Sequence, residues 1–164
     1  MPLLCISLLV LLLLPQTLSC EGKWPAEDVK SNMVIVQTHL NDTWENITAS
    51  LSKNCSNLKH KFPNCTPDIR GQVSDNSLSL RDKVVETIHN LTCSMTKLGL
   101  SQTEKLSKAV LNPIRCPCGK SAKIQRRRKR RNEHHKTTRK LCKAKAILSS
   151  VTQCYEILNS LMAT

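Results

Sequence analysis

The chain reads as all-α: a short-chain four-helix bundle of up-up-down-down topology, with two long crossover loops and disulfide staples. Three observations point there. Apolar residues recur at steps of three and four in three long segments and one short one. The links between those segments run long, short, long. Nine cysteines fall within 164 residues, whereas aromatics make up 2% and glycines number 4. So few aromatics and glycines argue against a β-sandwich, a doubly wound sheet or a phosphate-loop enzyme.

The first nineteen residues form a unit of their own. Leu8 to Leu14 is an unbroken apolar run ending at Pro15, and Thr17 and Ser19 are the small residues two cleavage positions need before Cys20. This pattern predicts a signal peptide over 1–19, too short for a membrane span. Residues 20–164 are then one secreted domain with eight cysteines. An even number in an oxidising route predicts four disulfides, with the connectivity left open.

The first helix is predicted over about 26–52. Val29, Met33, Val36, Leu40, Trp44, Ile47 and Leu51 fall within about 80° of one another at a helical rotation of 100° per residue. Pro25 suits the first helical position, and Glu27 and Asp28 suit the positive end of the helix dipole. Residues 54–77 carry Pro63, Pro67 and Gly71 without helical period, and read as a long loop. Leu80, Val84, Ile88, Leu91 and Met95 predict a second helix over about 80–97, with Ser79 as N-cap and Gly99 as terminator. Ser101 to Glu104 reads as a capping box for a short third helix over about 102–111, limited by Pro113. After a loop over 115–135, Leu141, Ala144, Leu148, Val151, Tyr155, Leu158 and Met162 predict a fourth helix over about 136–162. The loop order makes the second and third helices antiparallel neighbours, and lets both other links run the length of the bundle. Among helical bundles this is the growth-hormone and cytokine arrangement.

No catalytic constellation is present: there is no nucleophile elbow, no His-Glu-x-x-His and no glycine-rich phosphate loop. No enzymatic activity and no cofactor are expected. Cys116, Cys118, His134, His135 and Cys142 fit no standard structural zinc spacing. Glycosylation signals stand at Asn41, Asn46, Asn54, Asn64 and Asn90. A cysteine occupies the middle of the signals at Asn54 and Asn64, which makes them the poorer acceptors.

Charge is concentrated. The chain holds 25 basic and 12 acidic residues, net +13, and residues 120–145 alone hold 13 basic and one acidic. The centre of this run is Arg126, Arg127, Arg128, Lys129, Arg130 and Arg131. It reads as a sulfated-glycan surface of the heparan sulfate kind, as a convertase site matching Arg-x-Lys/Arg-Arg, or as a solvated loop. No aromatic interleaves it, so nucleic-acid binding is not expected.

The residues also carry a resemblance. Cys20-Glu-Gly22, Met33 to Val36 ahead of Asn54-Cys55, and Leu141-Cys142 spaced twelve from an aromatic-flanked Cys154 resemble the small cytokine family of interleukin-7 and thymic stromal lymphopoietin. The basic run and Cys116-Pro117 resemble the second branch more, and Cys154 the first; two of the eight cysteines are extra. The resemblance implies a monomeric cytokine bridging two receptors for lymphoid cell survival, growth and differentiation. The interleukin-7 receptor alpha chain would meet the first and third helices, and the common gamma chain the first and fourth. It implies the bridges Cys20–Cys154, Cys55–Cys142, Cys65 with Cys116 or Cys118, and Cys93 with the remaining one.

Val34 and Ile35 lie about 120° and 140° from the first helix's apolar stripe, at 100° per residue. With Gln37 and Thr38 they are assigned to a receptor-alpha face. Tyr155 is assigned to the common-gamma face, with a place in the core as the competing reading. A cationic, heparin-binding host-defence protein is the alternative to the cytokine.

Overall fold

The computed structural model describes residues 24–51, 55, 62, 63, 65, 77–119 and 133–163. The fold is mostly helical, and no strand occurs among the described residues. Its elements are α1 (Ala26–Ser31), α2 (Met33–Ser50), α3 (Ser77–Thr96), a 3₁₀ turn (Ser101–Thr103), α4 (Glu104–Ile114) and α5 (Glu133–Met162). The predicted signal segment over 1–19, together with Cys20, lies outside the described residues.

The single first helix expected over 26–52 is two, broken at Asn32. The Ser31 hydroxyl donates to the Asp28 carbonyl at 2.9 Å, a local bond that competes with the helical ladder. The ladder resumes at once, because the Val36 N–H reaches the Asn32 carbonyl at 3.0 Å. The apolar stripe is also shifted. Val36, Leu40 and Ile47 are buried as expected, but Thr43 is buried and Trp44 is not. The centre of Val36, Leu40 and Ile47 lies about 40° from Thr43 and about 60° from Trp44, so the smaller residue turns inward.

The second helix starts two residues before Ser79, which is therefore not its cap. Its end is the expected one: Gly99 adopts a left-handed φ of 63°, and its N–H bonds the Thr96 carbonyl at 3.1 Å. The capping box does not form. No side chain caps the start of α4, and Glu104 instead accepts from Lys108 at 2.8 Å, one turn on. That contact holds the Glu104 carboxyl below its ordinary range through the hydrogen bond first and the charge second. Pro113 does not end the helix either. Val110, Pro113 and Ile114 are all buried, so packing carries the chain through the proline to Arg115. Arg115 turns left-handed at φ 55°, and its N–H closes on Leu111 at 3.0 Å.

The core joins all the helices. Val29 of α1, Val36, Leu40 and Ile47 of α2, Val84, Val85, Ile88, Leu91 and Met95 of α3, Leu106 and Val110 of α4, and Leu141 to Leu158 of α5 form one buried cluster. The buried face of α3 is wider than its predicted stripe, because α4 and α5 both pack against it. The last turn of α5 is capped by two other elements. Arg81 Nε and Nη2 both donate to the Leu161 carbonyl, at 3.1 and 2.6 Å, and Lys30 Nζ donates to the Met162 carbonyl at 3.1 Å. Cations there satisfy orphan carbonyls and favour the negative end of the helix dipole.

Three bridges join described cysteines: Cys55–Cys142, Cys65–Cys154 and Cys93–Cys118. The first is the pairing that the resemblance implies, and the third takes Cys93 to one member of the Cys-Pro-Cys pair. The second is a correction. Cys154 bonds Cys65 and not Cys20, and Cys65 bonds neither Cys116 nor Cys118. Cys142 and Cys154 both sit on α5, so the one segment holding Cys55 and Cys65 is tied to it at two heights. Cys116 is also half of a bridge, whose partner lies outside the described residues.

The two long bridges span 87 and 89 residues and the short one 25. In the chain-entropy model each long closure stabilises by about 4–5 kcal/mol alone, and less together because the loops overlap. Peptide mapping without reduction should therefore recover Cys65 linked to Cys154; a Cys20–Cys154 peptide would contradict this fold. Ile147→Ala, which empties a fully buried site, should lower unfolding free energy by about 2–5 kcal/mol in denaturant titration.

Candidate functional site

The outward face of α2 carries the most exposed large apolar residues among those described. Val34 is 78% exposed and Ile35 54%. The sequence predicts both, since neither lies on the stripe that faces the core. Val34, Gln37, Thr38, Asn41 and Asp42 line one shallow groove. Thr38 is held against the helix, its hydroxyl donating to the Val34 carbonyl at 3.1 Å. Ile35 is about 100° around the helix from Val34 and stands outside this groove.

A second groove lies between α2 and α5. Leu40, Asn41 and Trp44 form one wall, and Leu148, Ser149, Thr152, Gln153 and Glu156 the other. Trp44 is 40% exposed, with Lys145 Nζ 4.7 Å from its ring centroid. Cation–π attraction of this kind is worth about 0.5–1 kcal/mol at an exposed site. It fixes a large aromatic face at the edge of the groove. Sequence reasoning assigns Trp44 to the core and misses it; the angular centre of its well-buried neighbours is the signal that finds it.

Tyr155 is not on either surface. It is 5% exposed and packs in the core with Val151 and Leu158. Its assignment to a receptor face is corrected: the helical step from Leu148 and Val151 turns it inward. Its Oη is buried with no hydrogen-bond partner among the described residues. Burial pushes the phenol well above its ordinary value.

Asn41, Asn46 and Asn90 are exposed, as acceptors of glycan must be. Asn54 and Asn64 lie outside the described residues, as do Arg126, Arg127, Arg128, Lys129, Arg130 and Arg131. The far end of the basic segment is described. Lys136, Arg139, Lys140 and Lys143 step along the first turns of α5, with Lys136 and Arg139 exposed. Lys136 stands in the first turn, at the positive end of the dipole, where charge of its sign is unfavourable, and Arg139, Lys140 and Lys143 follow in the next two turns. No family model, curated protein or solved structure matches this chain.

Tyr155 yields two measurable outcomes. Tyr155→Phe removes a buried hydroxyl without a partner, and should leave stability unchanged or raise it by about 1 kcal/mol, whereas Tyr155→Ala should cost about 3–5 kcal/mol. The folded phenol keeps its proton when the unfolded one, with an ordinary value of about 10, has lost it. Its contribution is thus fully present below pH ~10 and is lost as pH rises above that. Thermal melts between pH 9 and 12 should show a shallower alkaline fall for Tyr155→Phe than for the wild type.

Proposed function

We propose that this chain is a secreted helical cytokine of the interleukin-7 and thymic stromal lymphopoietin type. It works as a monomer that bridges two receptor chains and draws their intracellular tails together. The observation that carries the reading is the pair of neighbouring grooves on α2, one flanked by Val34 and the other by Trp44. Two separate docking surfaces on one rigid element are what a bridging ligand requires.

Contacts at the helix ends support this reading. Lys30 and Arg81, near the starts of the first and second long helical segments, both meet the end of α5. Lys145, early in α5, meets Trp44, late in α2. These contacts favour a bundle in which α2 and α3 run one way and α5 the other, as up-up-down-down requires. The bridges favour an oxidising, secretory route.

By the resemblance, the interleukin-7 receptor alpha chain engages the Val34, Ile35, Gln37 and Thr38 face. The common gamma chain engages the α2–α5 groove through Trp44, in place of Tyr155. The output is lymphoid cell survival and growth. Heparan sulfate binds the basic segment from Arg126 through Lys143, which the 13 basic residues against one acidic in 120–145 support. Such binding concentrates the protein near cell surfaces, and convertase cleavage at Arg128 to Arg131 would leave the pieces joined through Cys142 and Cys154.

Surface-immobilised receptor ectodomains test the bridging. Val34→Asp with Ile35→Asp should weaken one receptor by tenfold or more, about 1.4 kcal/mol, and Trp44→Ala the other. Both variants should melt within a few degrees of the wild type, because the three residues are exposed. Loss of neither interaction would sink the reading. Asn41 belongs to both grooves, so Asn41→Gln should change the binding of both receptors; unchanged binding of both would take the shared part of the grooves out of the interface.

On a heparin column, elution should shift to lower salt when Arg126 to Arg131 are neutralised, because retention rests on counterion release.

A further inference from the structure

His89 is buried in the core face of α3, one helical turn before Cys93. Residues four apart share a helix face, and here the two side chains meet: His89 Nε2 lies 3.4 Å from Cys93 Sγ. Cys93 is bonded to Cys118 of the Cys-Pro-Cys segment. His89 Nε2, Cys93 Sγ and Cys118 Sγ lie within 4.8 Å of one another. The same Nε2 donates to the Cys116 carbonyl at 3.1 Å, and Trp24 covers the ring, with centroids 5.4 Å apart.

This set has the chemistry of a soft metal site. Zinc binds thiolate at about 2.3 Å and imidazole at about 2.0–2.1 Å, and a tetrahedron with those bonds has a sulfur–nitrogen edge of about 3.6 Å. The observed 3.4 Å between Cys93 and His89 is close to that edge before any metal is considered. The sulfur–sulfur edge would be about 3.8 Å, so the two sulfurs part by about 1.8 Å once the bridge is open. The fourth position falls to water or to the Cys116 carbonyl oxygen.

We propose that His89, Cys93 and Cys118 form a zinc-type site that a dithiol reductant opens. The metal then replaces the covalent staple between α3 and the Cys-Pro-Cys segment. The reaction balances without further partners. A thiolate of the dithiol attacks Cys118 Sγ, the less buried of the two sulfurs, and the electron pair of the broken bond leaves on Cys93 Sγ. The His89 N–H beside Cys93 stabilises the leaving thiolate. The second thiol of the reductant closes its own disulfide and releases Cys118. Metal binding displaces the protons of both thiols to solvent, and the imidazole presents Nε2 with its proton carried on Nδ1.

Among the three described bridges, Cys55–Cys142 also has one half-buried cysteine, and among the described residues no imidazole is placed beside it. Reactivity depends on both access and the leaving thiol, so Cys93–Cys118 opens first of these three.

The full mature protein is treated with limiting dithiothreitol, and the thiols formed first are mapped by alkylation. The opened protein is then titrated with cobalt(II) as a spectroscopic stand-in for zinc. Cys93 and Cys118 should be the first thiols labelled. One ion per chain should bind, with a thiolate-to-cobalt charge-transfer band and displacement by zinc. His89→Gln keeps an amide donor for the Cys116 carbonyl yet removes the imidazole. Loss of even an outer partner of a metal ligand costs about 10–100-fold in affinity, so this variant should bind at least tenfold more weakly.

The double variant Cys93→Ser and Cys118→Ser needs no reductant to remove the bridge and should show no such band. First labelling at another bridge, or absence of the band in the opened wild type, would overturn the proposal. Equal cobalt affinity in His89→Gln, or persistence of the band in the double variant, would do the same.

Discussion

The thirty residues of α5 are the surface on which the other elements are registered. At 1.5 Å per residue the helix is about 45 Å long, and its last turn, two intermediate heights and its apolar stripe are held by hydrogen bonds, disulfides and burial respectively. Its last carbonyls receive Lys30 from α1 and Arg81 from α3. Its cysteines at 142 and 154, about 18 Å apart along the axis, bond Cys55 and Cys65. Its apolar stripe lies against α2 and α3. A helix held by ionic caps, covalent anchors and burial together cannot slide against its neighbours without breaking all three. The groove between α2 and α5 therefore has fixed walls.

The sequence is most legible where one physical requirement dominates. Leu141, Ala144, Leu148, Val151 and Leu158 are buried because a helix this long must hide an apolar stripe, and period alone finds them. Gly99 ends α3 because a left-handed residue costs glycine little. Legibility falls where two requirements compete at one residue. Pro113 breaks the ladder but fills the core, and the core wins. Trp44 is the most apolar side chain near the stripe, yet the helix rotation that buries Val36 and Ile47 turns Thr43 inward and leaves the indole at the edge.

Disulfide partners are legible only in part, since pairing depends on distances between elements far apart in the chain. The resemblance implies Cys55–Cys142, but it gives Cys154 the wrong partner. In the candidate site, Val34, Ile35, Gln37 and Thr38 are readable as a face because they are simply off the stripe. Tyr155 is not readable as buried on its aromatic flank alone, which is why its role is reversed by the fold.

One feature of α5 runs against the economy of the rest. A helix start favours anions, yet the described first turns after Glu133 present Lys136, Arg139, Lys140 and Lys143. Sequences depart from local consistency chiefly where function demands it. Only Lys136 lies in the turn where the dipole opposes a cation, whereas Lys143 lies over the Phe62 ring, 6.0 Å from its centroid. A polyanion bound there would relieve the repulsion among these cations, and such binding would stabilise the start of the helix.

That coupling reaches the second groove through Lys145. Its ammonium sits over Trp44, at the junction between the basic end of α5 and the α2–α5 groove. A sulfated chain lying along the helix from Lys136 would compete for Lys145, and drawing its ammonium away would free the indole from the contact that now orients it. The loss is small, about 0.5–1 kcal/mol. An aromatic released at the edge of a docking groove nevertheless gains rotamer freedom that any partner must remove on binding. Lys145 thus stands between the two surfaces: it belongs to the basic segment, and it contacts the Trp44 ring that lines the groove.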